Sequence, residues 1–171
     1  VGVYGNSGYA YTGSTPSKLK KRIEEANSSN AEITDINITE NGNYVIILGG
    51  SGYWTLGYPD AFLKKLEQYR TGDLRDDNIL SACFNDRGEW VVITDKHYSY
   101  SNETIKNFIL KAEELYEEVY YAYITNYGMI ACCKNGVYYK NIPSNLAEAL
   151  KKLTFKPKVI KFTDNGLYLI T

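Results

Sequence analysis

The 171 residues fit one domain, and 44% hydrophobic content supplies a sizeable core. With 19 basic against 20 acidic residues the net charge is −1, which excludes the electrostatic footprint of a nucleic-acid binder. No apolar run approaches the roughly 18 residues of a membrane span, and 14% aromatic content without low-complexity stretches argues against disorder.

Along the chain, the first predicted element is a short strand, Gly8-Tyr9-Ala10-Tyr11, followed by a helix opened by Pro16 and carrying Leu19 and Ile23. Next comes a hairpin, Ile36 to Ile46, turning at Gly42. A third strand, Gly52-Tyr53-Trp54-Thr55, leads to Pro59 and a helix from Asp60 to Arg70 with Phe62, Leu63, Leu66 and Tyr69 as its apolar stripe. The same order recurs. A hairpin around Gly88 is followed by Tyr98-Ser99-Tyr100 and a helix capped at Ser101 or Asn102, with apolar Ile105, Phe108, Ile109, Ala112, Leu115 and Tyr116. A hairpin around Gly128 is followed by Val137-Tyr138-Tyr139 and a helix after Pro143 with Leu146, Leu150 and Leu153. A last hairpin around Gly166 ends the chain.

The four turns share a pattern. Apolar Ile38, Phe84, Ile124 and Phe162 stand four residues before the glycine, and Thr or Asn stands three before it. Glycine is expected to supply the positive φ of a tight hairpin turn. The second strands, such as Val45-Ile46-Ile47-Leu48 and Val91-Val92-Ile93, are almost wholly apolar, which predicts cover on both faces. Ser7-Gly8-Tyr9 matches Ser51-Gly52-Tyr53, so the N-terminus supplies a third strand and helix, and the C-terminus the hairpin that would precede them. The predicted fold is an α+β or α/β propeller-like closed ring of four βββα repeats in one domain, with helices outside. Its units are 159–171 plus 1–30, 33–78, 79–119 and 120–158. Closure removes the unpaired sheet edges that an open array would leave. The unit type is similar to that of five-fold α/β propellers such as the guanidine-modifying penteins. With four units and no match to their catalytic pattern, the resemblance implies architecture alone.

Tyrosine is the compositional outlier, at 17 copies against 5 Phe and 2 Trp. In the third strands Tyr9, Tyr53, Tyr98 and Val137 take equivalent places, as do Tyr11, Thr55, Tyr100 and Tyr139. The opposite face carries Ala10, Trp54, Ser99 and Tyr138. Invariance of type suggests packing or ring lining, and variation suggests a specialised surface. Trp54, Tyr53, Tyr9, Tyr98, Tyr100, Tyr138 and Tyr139 are therefore the candidate ligand residues of a non-catalytic binding module for a protein, peptide or glycan partner. The expectation includes no cofactor and no metal.

The other polar candidates have plainer readings. Glu40, Asp86 and Asp164, with Asn126 in the remaining copy, offer too few oxygens per turn for calcium and are read as turn chemistry. Cys132 and Cys133 align with Ile46 and Ile47 and are read as core, whereas Cys83 aligns with Asn37, Tyr123 and Lys161 and is expected to face solvent. A cysteine-dependent hydrolase would need His97, the single histidine, beside a thiolate. A structural subunit of a larger assembly is a third possibility.

Overall fold

The computed structural model describes residues 2–4, 8–10, 13 and 15–171, so Ser7 and Tyr11, on which part of the N-terminal expectation rests, lie outside it. The chain is mixed α/β, built from small antiparallel sheets of two or three strands and four helices. A short hairpin, β1 (Gly2–Tyr4) with β2 (Gly8–Ala10), precedes α1 (Ser17–Ser28). Three units with three strands and a helix follow. The first is β3 (Ile33–Ile38), β4 (Tyr44–Leu48), β5 (Tyr53–Leu56) and α2 (Asp60–Thr71). The second is β6 (Ile79–Phe84), β7 (Trp90–Thr94), β8 (Tyr98–Tyr100) and α3 (Glu103–Tyr116). The third is β9 (Val119–Ile124), β10 (Met129–Cys133), β11 (Gly136–Lys140) and α4 (Ser144–Lys151). A two-stranded hairpin, β12 (Ile160–Phe162) with β13 (Tyr168–Ile170), ends the chain. Among the described residues no helix is long and apolar enough to cross a membrane.

The two-faced burial expected of the second strands is present in β4, β7 and β10 but not in β13, and alternation explains it. On β4, Val45 and Ile47 pack with Phe62, Leu66 and Tyr69 of α2, while Tyr44 and Ile46 pack with Leu19 and Ile23 of α1. On β7, Trp90 and Val92 join the α2 layer, and Val91 and Ile93 join Ile105, Phe108, Ile109 and Ala112 of α3. Successive strand residues point to opposite faces, so each sheet is held between the helix before it and the helix after it. At its N-terminus α3 is capped by Asn102, whose side chain accepts from Ile105 N at 3.0 Å.

Turn chemistry holds in three hairpins. Gly42, Gly88 and Gly166 have φ of 79°, 81° and 90°, the left-handed conformation that closes a three-residue loop. The third hairpin differs. Ile124 pairs with Met129, whereas Ile38 pairs with Tyr44, so this loop is one residue shorter. Gly128 lies outside the left-handed region and is required for another reason: a Cβ there would meet the Asn141 carbonyl oxygen at 2.3 Å. The shorter loop advances the register by one. Cys132 therefore pairs with Val137 as Ile47 pairs with Tyr53, correcting its alignment with Ile46. The slip is tolerated because β10 is buried on both faces.

First strands of successive units meet: β3 lies against β6, and β6 against β9. The third strands stand at the sheet edges beyond the second.

Candidate functional site

Polar residues of the first strands reach from one unit to the next. Asn37 Nδ2 donates to the Ala82 carbonyl at 2.6 Å, and Cys83 Sγ to the Ala122 carbonyl at 3.6 Å. Lys161 Nζ, from the last hairpin, donates to the Ile36 carbonyl and lies 3.0 Å from Asp35 Oδ1. Each donor, Asn37, Cys83 or Lys161, stands one residue before the end of its strand. Each acceptor stands one place earlier in a neighbouring unit. This geometry corrects the expectation for Cys83, which is fully buried rather than solvent-facing. Its slot is polar in other copies because it faces the neighbouring first strand.

Beyond these contacts the four hairpin turns converge on a cavity of about 220 Å³. Its inner wall is apolar, with Phe84, Tyr123, Ile124 and Phe162 all nearly buried and Tyr123 set edge-on to Phe162 at 5.7 Å. Glu40 and Thr163, both exposed, mark the opening. The first loop residues Glu40, Asp86 and Asn126 line it, and Asp164, their counterpart in the last hairpin, contacts the lining residues Thr125 and Glu40.

These side chains do not serve their own turns, as the sequence suggested, but their neighbours. Asp86 Oδ1 accepts from Thr39 Oγ1 at 2.6 Å, and its Oδ2 accepts from Asn41 N at 3.2 Å. Asp164 Oδ1 accepts from Thr125 Oγ1 at 2.7 Å. Glu40 Oε2 accepts from Asn126 Nδ2 at 3.5 Å, and the Glu40 carboxyl also faces that of Asp164, which raises its pKa. Asp164 Oδ2 and Asn126 Oδ1 are screened from solvent yet have no hydrogen-bond partner. On the same loops the Arg87 guanidinium lies over the Tyr127 ring, 5.0 Å from its centroid.

The aromatic candidates are not gathered in one place. Tyr53 OH bonds Glu67 on α2, and Tyr98 OH bonds Glu113 on α3 at 3.0 Å while accepting from Val119 N. Both therefore tie a third strand to the helix that follows it, and burial pushes the Tyr98 hydroxyl up to about 12. Tyr138 packs on Phe108 of α3 at 5.0 Å, Tyr100 borders the same core, and Tyr9 borders the α1 layer. Trp54 lies under the Arg22 guanidinium at 5.4 Å, in a groove of about 400 Å³ with Lys18 and Lys21. Tyr139 lines a separate groove of about 580 Å³ with Phe155, Lys151 and Lys156.

All three thiols are buried. Burial raises Cys83 and Cys132 to about 12 and Cys133 to about 11, the reverse of what a nucleophilic thiolate needs. The His97 ring bonds Asp77 through Nδ1 at 2.6 Å, and Asp77 also accepts from Thr94 Oγ1. Among the described residues His97 makes no hydrogen bond to a thiol, and no cluster of three or more His, Cys, Asp or Glu is arranged to hold a metal ion.

Comparison with protein families, with characterised proteins and with solved structures finds no match. The reading therefore rests on the molecule's own geometry. The cavity residues were missed in sequence because each turn was judged alone. Their signal was positional, a carboxylate or amide opening the loop in all four copies.

Proposed function

We propose that this chain is a non-catalytic binding module, built as a closed ring of four βββα units whose central mouth receives the ligand. One unit is split, pairing residues 159–171 with 1–30, and the others span 33–78, 79–119 and 120–158. The observation that carries this reading is the cavity itself. Residues from all four hairpins line it, and apolar walls with a few convergent polar groups are the usual make-up of a ligand site. Ring closure is supported by the Lys161 contact to Ile36, which gives the last hairpin the same tie to the first unit that Asn37 and Cys83 give their neighbours. Tyr9 adds to it by bordering the α1 layer as Tyr53 borders the α2 layer. The partner is a protein, peptide or glycan offering a small group to the mouth.

A fragment-library screen by 15N-HSQC NMR tests this. Hits should shift amides of Ile38, Phe84, Ile124 and Phe162, and Asn126→Trp, which plugs the opening from an exposed turn, should abolish those shifts. Hits that ignore the mouth would contradict the proposal. A second reading follows from Trp54, which shares its groove with Lys18, Lys21 and Arg22 and suits an anionic partner. Hits confined to that groove and lost in Trp54→Ala would favour it instead.

A further inference from the structure

We infer that the group received at the mouth is a small primary ammonium with an apolar body, its hydrocarbon in the cavity and its charged head at the rim. The inference rests on the proposed binding role and names the ligand class for that same cavity.

Size sets the first limit. At about 220 Å³ the cavity falls below the roughly 300–1,000 Å³ of drug-sized ligand sites, so it suits one small aliphatic or aromatic group. Burial sets the orientation. Phe84, Tyr123, Ile124 and Phe162 are at most 9% exposed, so the deep end takes hydrocarbon, while Glu40 at the opening is exposed.

Charge decides the head group. Asp86 has both carboxylate oxygens satisfied by Thr39 and Asn41. Asp164 Oδ2 and Asn126 Oδ1 do not, although solvent is screened from both, and an unpaired buried acceptor costs free energy until a donor arrives. Glu40 stands beside them, contacting both residues. Three acceptors from three hairpins thus converge, and a primary ammonium carries three N–H donors and no acceptor. Two facing carboxylates repel unless a proton or cation lies between them, which disfavours an anionic or acceptor-only head. The cation Arg87 is engaged on Tyr127 at the outer side of the loops.

Two sources present this chemistry: a free alkylamine, or the free N-terminus of a peptide whose first residue is apolar. The test titrates n-butylammonium against n-butanol at matched ionic strength, reading the Phe84, Ile124 and Phe162 amides by NMR. Leu-Gly-Gly-amide is run with a free and with an acetylated N-terminus. The ammonium should bind at least tenfold more tightly than the alcohol, and Asp164→Asn should remove that preference. Binding by the free-terminus peptide, lost on acetylation, assigns the peptide source; binding by butylammonium alone assigns the free amine. Equal binding of amine and alcohol at the mouth would overturn the ammonium while sustaining the binding module. If no probe shifts the mouth, the ammonium falls, and the fragment screen decides separately whether the binding role falls with it.

Discussion

Glu40 meets residues of three other hairpins: the Asp164 carboxyl, the Asn126 amide and the field of Asp86. Its pKa is raised, first by the Asp164 carboxyl set within hydrogen-bonding reach of it, so the folded chain holds this proton to higher pH than the unfolded chain does. The sign follows from linkage. The contribution to stability is complete below the ordinary glutamate pKa and is lost as pH rises through the raised value. Glu40→Gln keeps the hydrogen-bonding shape without the charge. Its Tm should exceed that of the wild type at pH 7 and converge on it near pH 4; a lower Tm at pH 7 would contradict the pairing. At this scale legibility was partial. Cys132 and Cys133 read correctly as core, since apolar neighbours in other copies occupy the same strand. Cys83 did not, because a polar slot signals solvent in one sequence and a neighbouring carbonyl in the folded chain.

The elements were the most legible part, because hairpin patterns and helix stripes are local. Phe62 shows what the layering contributes: it is fully buried on α2 between two sheets, touching Phe84 at 5.2 Å and Trp90 at 6.0 Å. Phe62→Ala should cost about 3–5 kcal/mol in urea unfolding. Leu115→Ala on α3, where the side chain is 49% exposed, should stay within about 0.5 kcal/mol. Similar losses from both would mean that the helices are not clamped between sheets. The register of the third hairpin was not legible. Gly128 resembles the turn glycines of the other copies, yet it answers to the Asn141 carbonyl, a contact that no local pattern announces.

At the scale of the whole molecule the seam carries most weight. Leu169 is 47% exposed and Tyr168 45%, although their counterparts Val45 and Tyr44 are buried. Among the described residues β13 pairs with β12 alone and β2 with β1 alone, so the first and last sheets have two strands each where the three between them have three. The mouth residues were illegible for a related reason: Thr39 meets Asp86 and Thr125 meets Asp164 across separations of 47 and 39 residues, and only the packing of one unit on the next brings them together. If β2 completes the last sheet, its register follows from the pairs Ile46 with Trp54 and Val92 with Ser99, which place Ala10 opposite Ile170. Directly opposed residues in an antiparallel pair lie about 4.5–5.5 Å apart at Cα, within disulfide reach. The double variant Ala10→Cys with Ile170→Cys, oxidised under native conditions where the three natural thiols are buried, is therefore the most direct test. The closed ring predicts an intramolecular disulfide between the two introduced cysteines in a monomer with raised Tm; free thiols, or cross-linking only between separate molecules, would contradict it.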